Sequence, residues 1–324
     1  MLVTKMIIKI KNNVENTNSN NYNYRKNNLK MWFFSLWIWF EQKNFKFFKK
    51  QLNHKDIFYK KFFLRSQTTP FHIVPKSPWP FSTSWAILIF LLGIVLYFQY
   101  YLLGLFISFF GFFSISFFLT RWFLDIILES FKGNHTSYVA NGLRLGCVLL
   151  IVSEVMFFFS FFWSYFHLTL SLSVHTGAIW PYVEGPWACG LPFLNTLILA
   201  LSSITLTEAH LFFLKKEKFF SIFFFIITIF LAVHFTFNQF LEYLDSSLSF
   251  DNGACGSIFY MLTGFHGIHV LLGTIFLIVT LIRILKGHFV RERHILLEIS
   301  SLYWHFVDVV WFFLFIVVYI LGDF

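Results

Sequence analysis

Charge is scarce in this sequence. Only 13% of its 324 residues are Asp, Glu, Lys or Arg, whereas 57% are hydrophobic and 23% aromatic, with fifty phenylalanines. A soluble domain carries about 25% charged residues, so that class is excluded and the composition describes a polytopic membrane protein. Cysteine is scarcer still. Cys147, Cys189 and Cys255 show no CxxC spacing, which excludes a disulfide-stapled scaffold and leaves too few thiols for a four-cysteine metal centre. A leader-peptide pattern is not evident either. Residues 1–30 are Asn-rich and polar, without a long apolar stretch or an Arg- or Ser-rich bias, so no cleaved signal is expected and the segment reads as a poorly ordered or partner-bound tail.

The net charge of +9 does not describe a nucleic-acid binder. Fifteen of the 25 Lys and Arg precede residue 77 and the other ten border apolar runs, which is a membrane-topology signal. The stretch from Met31 to Phe40 is aromatic but has only ten residues, about half of a membrane span. Lys43, Lys46, Lys49, Lys50, Lys55, Lys60, Lys61 and Arg65 follow it. Such a segment suits an anionic membrane surface or a docking surface for another subunit. Pro70 to Pro80 holds four prolines and is an extended approach to the membrane region.

No residue from Ser84 to Thr120 is charged, and that run is nearly twice the ~20 residues of one span. It predicts two helices with a tight turn near Gln99 to Gly104. Further spans are expected at about 143–168, 192–214, 219–242, 257–285 and 296–321, by the same length requirement. The count of seven agrees with the charges. Lys and Arg occupy the N-terminal region and the connections holding Arg121, Lys132 and Arg144, then Lys215, Lys216 and Lys218, then Arg283, Lys286, Arg291 and Arg293. The intervening connections and the C-terminus hold none, so the N-terminus is expected inside and the C-terminus outside. Cys189 and Cys255 then fall on the outer side, where an oxidising compartment could join them.

Few polar residues interrupt the spans, and each needs a reason. Glu154 sits in SEVMFFFSFFW, Ser153 to Trp163; an acid at this depth is normally protonated, turned into a bundle or paired with another helix. Asp308 lies in YWHFVDVVW, Tyr303 to Trp311, with His305 at i−3 and with Trp304 and Trp311 along its face. These two helices, or one of them with a partner subunit, are expected to bury both acids with His305 nearby. His266 and His269 stand one helical turn apart in TGFHGIHV; two histidines are too few for a metal site, and interhelical hydrogen bonding is the expected role. Gly264, Gly267 and Gly273 offer surfaces for a neighbouring backbone. Trp122, Asp125, Glu129, Lys132 and His135 crowd one membrane boundary, as do Arg283, Lys286 and His288. Lipid headgroups and ordinary snorkelling both account for such clusters.

The order and spacing of several stretches resemble subunit III of the haem-copper oxidases, in its mitochondrial form. They are SPWP from Ser77, HT from His135, GLRLG from Gly142, SEVMFFFSFFW from Ser153, LNT from Leu194, EY from Glu242, FDNGACGS from Phe250, TGFHGIHV from Thr263, RILKGHF from Arg283 and YWHFVDVVW from Tyr303. The resemblance covers residues 71–324 and implies an all-α membrane protein of seven helices, a first pair and a five-helix bundle separated by a lipid-filled cleft. It also implies assembly with catalytic subunit I, with subunit II and accessory subunits nearby, in a complex of the mitochondrial inner membrane. That complex reduces dioxygen to water with electrons from cytochrome c and pumps protons. Haem a, haem a3 and copper would belong to partner subunits, leaving this chain with structural phospholipids, cardiolipin among the candidates. Glu154 matches the family's carbodiimide-reactive glutamate. Trp122, Glu129, His135, Arg283, Lys286 and His288 match its lipid-contacting positions.

The chain departs from the family pattern in three places. The usual Arg-Asp-x-x-Arg-Glu at the end of the second helix is here Leu124 to Glu129 with both arginines missing, which puts the mode of anionic-lipid binding in doubt. The usual His-His at the end of the fourth helix is reduced to His210 after Thr205 and Thr207. Residues 1–70 form an extension without family counterpart, expected to contact lineage-specific subunits or a supercomplex. Two other readings stay open: the quinol-oxidising relative, because subunit II selects the donor, and a stand-alone seven-helix transporter. The latter would call for paired repeats, and the sequence shows none.

Overall fold

A backbone in lipid satisfies its N–H and C=O groups within its own segment, so long apolar runs become helices. In the structure, a computed structural model describing residues 70–171, 188–291 and 293–322, seven helices are long and apolar enough to cross a membrane. This is the expected number. The helices are α1 (Trp79–Phe98), α2 (Leu102–Phe131), α3 (Ser137–Leu170), α4 (Leu191–Leu214), α5 (Lys218–Asp245), α6 (Gly253–Leu285) and α7 (Ile295–Leu314), the last continuing as a π-helical turn, Phe315–Ile320. The tail of residues 1–30 and the aromatic and basic segment after it lie outside the described residues. Pro80 and Pro192 occupy the first turns of α1 and α4, where a missing N–H costs no helical bond.

The helices divide into two units, one ending at Thr136 and the other beginning at Ser137. In the first, α1 and α2 form a hairpin whose backbones meet at glycines. A Cβ on Gly93 would lie 2.4 Å from the Ser108 nitrogen, one on Gly104 2.4 Å from the Tyr97 nitrogen, and one on Gly111 2.6 Å from the Phe90 Cα. No larger residue fits, which is how small residues let membrane helices approach. The turn falls within the expected stretch. Tyr100 adopts a left-handed φ of 64°, its N–H bonds the Tyr97 carbonyl, and the Tyr101 N–H bonds the Leu96 carbonyl. That is a Schellman ending; the same pattern closes α4, with Lys216 at φ 66°. A Cβ in this conformation costs about 1–2 kcal/mol. Tyr100→Gly is therefore expected to stabilise the hairpin by about 0.5–1 kcal/mol after glycine's own entropic cost, read as a rise in thermal midpoint.

In the second unit α4 and α5 form another tight hairpin, α6 and α7 pack against them, and α3 lies against α6 and α7. Lipid is as apolar as a leucine core, so these helices associate through close packing and hydrogen bonds. The tryptophans of α7 supply both. Trp304 and Trp311 are fully buried; Trp304 Nε1 donates to Ser202 Oγ and Trp311 Nε1 to Thr196 Oγ1, each at 3.0 Å. Of Gly264, Gly267 and Gly273 in α6 only Gly273 meets a neighbour, since a Cβ there would come 3.0 Å from the Trp304 ring, whereas Gly264 and Gly267 have nothing within 4 Å. Cys147, Cys189 and Cys255 form no disulfide among the described residues.

Candidate functional site

Glu154 is answered by α6. Its Oε2 lies 2.9 Å from His269 Nε2, and its side chain keeps 32% exposure. The other ring nitrogen, Nδ1, is 2.6 Å from the Phe265 carbonyl one turn earlier. A carbonyl only accepts, so Nδ1 carries a proton and the contact with Glu154 needs a second one, placed either on Oε2 or on Nε2. The pair thus holds one shared proton and no net charge, which makes an acid tolerable at this depth. Phe158 packs on the His269 ring with centroids 5.0 Å apart and a T-shaped geometry. Glu154→Gln retains a donor for Nε2 and is expected to cost under about 1 kcal/mol, whereas Glu154→Leu strands that nitrogen and is expected to cost about 1–3 kcal/mol. Thermal midpoints of the two extracted variants check the difference.

The structure divides the expected acid network in two. Asp308 is not joined to Glu154; it lies beside Ser203 of α4 and His305 of its own helix. His305 Nε2 in turn is 3.5 Å from Thr207 Oγ1. The reason is the face to which Asp308 belongs. Trp304 and Trp311, which flank it at helical spacing, dock on α4 through Ser202 and Thr196, carrying Asp308 toward α4 and away from α3. Contact between α3 and α7 runs instead through Phe158 and Phe306, 6.3 Å apart, and through Arg144 and Glu298. His266 is fully buried and bonds the Val307 carbonyl of α7 at 3.2 Å.

At the Lys/Arg-bearing end of the second unit, Arg144 grips Glu298 with two nitrogens, Nε at 2.7 Å and Nη2 at 3.2 Å. His294 Nε2 approaches the same carboxylate at 3.2 Å, and the His210 ring lies 5.5 Å from that of His294. Arg283 is half-buried over the Phe289 ring, 4.7 Å from its centroid. Lys286 beside it is exposed and His288 half-buried. At the opposite end the Ser249 hydroxyl bonds Asp251, holding this exposed carboxyl below its usual range. Such a shift favours the fold above the ordinary carboxylate range and is lost as pH falls through the lowered value.

In the first unit the boundary acids find partners within the unit. Glu129 Oε2 lies 3.3 Å from His72 Nε2, Trp79 Nε1 donates to Asp125 at 2.5 Å, and the His135 ring is 6.2 Å from that of His72. Thr136 bonds the Pro70 carbonyl, closing the approach segment onto the end of α2. Trp122 is half-buried. The two sets of sequence-predicted headgroup residues therefore belong one to each unit: Trp122, Glu129 and His135 to the first, Arg283, Lys286 and His288 to the second.

Sequence reasoning passed over Glu298, His294 and Glu242 as site residues. Glu242 is buried at the end of α5 and accepts the Tyr319 hydroxyl at 2.6 Å. The signal available for it was weaker than that used for Glu154, since Glu242 stands at the end of an apolar run and Glu154 within one.

A family profile described as cytochrome c oxidase subunit III matches residues 69–323. The chain is similar to the cytochrome c oxidase subunit 3 of Cyanidium caldarium, 45% identical over 263 residues that span 80% of this chain and 97% of the relative. The Rhizopus stolonifer protein of that name is 48% identical over 258 residues, 78% of this chain and 91% of the relative. For the Arabidopsis thaliana protein the figures are 42% over 261 residues, 79% and 98%.

Proposed function

Since the chain belongs to the cytochrome c oxidase subunit III family, we propose that it is a supporting subunit without a redox centre of its own, seated on catalytic subunit I in the mitochondrial inner membrane. Subunit II and accessory subunits complete the complex, which reduces dioxygen to water with electrons from cytochrome c and pumps protons; the haems and copper are held by the partners. The N-terminus faces the matrix and the C-terminus the intermembrane space, as the distribution of Lys and Arg favours. Residues 1–70 serve contacts with lineage-specific subunits or a supercomplex.

The observation that carries this reading is the family match over residues 69–323, together with intramembrane acids that face neighbouring helical residues: Glu154 bonded to His269, and Asp308 beside Ser203 and His305. Groups held in this way brace a bundle. Support takes three forms: stabilising subunit I, binding structural phospholipid through Trp122, Glu129 and His135 and through Arg283, Lys286 and His288, and shaping the access of oxygen and protons. Lipid analysis of the purified complex tests the second form. Replacing Arg283 and Lys286 with alanine is expected to lower the amount of anionic phospholipid that co-purifies, and an unchanged lipid content would remove these residues from that role.

A further inference from the structure

Away from the Lys/Arg-bearing ends, α4 and α5 bury three amides and an acid whose polar atoms are only partly accounted for by the contacts described so far. Glu242 is 3% exposed; Tyr319 occupies its Oε1, and its Oε2 makes no hydrogen bond. Gln239, one turn earlier, faces Glu242, Tyr243 and Tyr319, yet both of its amide atoms fall outside hydrogen-bonding geometry. Asn238 Nδ2 and both polar atoms of the fully buried Asn195 are likewise unbonded. The register of the hairpin sets these residues near one level. Thr205 and Thr228 touch at 2.9 Å across the antiparallel hairpin; ten residues back along α4 and ten forward along α5 bring Asn195 level with Asn238. Trp311 links the two ends of the cluster, since its N–H bonds Thr196 and its ring lies 5.9 Å from that of Tyr319.

The kinds of unbonded atom identify the ligand. Three are amide nitrogens that donate, on Asn195, Asn238 and Gln239, and three are oxygens that accept, on Asn195, Gln239 and Glu242. A cation would satisfy the oxygens and leave the N–H groups facing a positive charge. An anion would meet the Glu242 carboxyl. Water donates and accepts, and a buried water makes about three hydrogen bonds, so about two or three waters close all six positions. Left open, each position would carry an uncompensated desolvation cost. We propose that Asn195, Asn238, Gln239 and Glu242 form an internal hydration site, binding a small group of ordered waters between α4, α5 and the π-helical end of α7. The π turn contributes by setting the Tyr319 hydroxyl on one oxygen of Glu242, which directs the other oxygen to the waters. Glu242 thereby has an exchangeable hydrogen-bonding environment inside the bundle.

The test is a cryo-EM map of the native, detergent-purified assembly containing the full chain, at a resolution that shows ordered water, compared with the same assembly carrying Asn238→Leu. About two or three density peaks within hydrogen-bonding distance of the four side chains are expected. Asn238→Leu should remove the nearest peak and leave the Tyr319 to Glu242 bond in place. Amides rotated into direct pairs with no density between them would overturn the proposal. So would a single peak touching oxygens alone at about 2.4 Å, the distance of a bound cation. If Asn238→Leu fails to accumulate, the wild-type map decides between these outcomes. The result does not depend on which complex the chain joins.

Discussion

Gly104→Val is expected to break the α1–α2 hairpin. A Cβ at this position would lie 2.4 Å from the Tyr97 nitrogen and 2.7 Å from the Gly93 carbonyl oxygen, and both are backbone atoms that move only if the helix moves. Overpacking in a core costs about 1–3 kcal/mol when side chains can adjust; here none can, so the cost lies at or above that range. The close approaches at Gly93 and Gly111 depend on the same helix-to-helix distance, so they are lost with it. Proteolysis of the extracted protein should cut the variant at the turn around Tyr100 under conditions that spare the parent chain. Resistance equal to that of the parent would show that the helices part without consequence.

Trp304→Ala has a comparable expected effect by the opposite route, a void. Trp304 is fully buried, bonds Ser202 of α4 and lies over Gly273 of α6, so it ties its own helix to two others. Removing a buried tryptophan costs about 3–5 kcal/mol in soluble cores. In lipid the burial of apolar surface from water contributes little to helix association, so the loss consists of packing contacts and the indole hydrogen bond, and about 3 kcal/mol is expected. Trp304→Phe keeps much of the volume and loses the N–H, which should place it between the parent and the alanine variant. Thermal midpoints of the three proteins in one detergent check the order.

The spans were legible because apolar length and the positions of Lys and Arg report on the bilayer directly. The turn at Gln99 to Tyr101 was legible too, since an uncharged run twice the length of one span has to reverse near its middle. The start of α3 was harder to read. It was expected near residue 143, but the helix begins at Ser137, because Arg144 is taken up by Glu298 of α7 and the boundary charge does not end the helix. The pairing of the acids was not legible. Periodicity puts Trp304, Asp308 and Trp311 on one face of α7 without saying which helix that face meets, and the choice of α4 follows from indole bonds to Ser202 and Thr196. The same applies to the glycines of α6, of which Gly273 alone lies under a ring. Tyr319 was hidden for another reason: a π-helical turn departs from the 3.6-residue period on which sequence reading depends.

Support of an oxidase by a chain without a redox centre is tested most directly on the native assembly, purified in mild detergent. Its reduced-minus-oxidised spectrum and its turnover on reduced cytochrome c are followed over time, before and after this chain is stripped away. Haem a bands and cytochrome c oxidation should co-migrate with the chain, and stripping should leave the bands and the initial rate while shortening the period of sustained turnover. Haem a bands that leave with the chain, or sustained turnover of equal length without it, would contradict the supporting role.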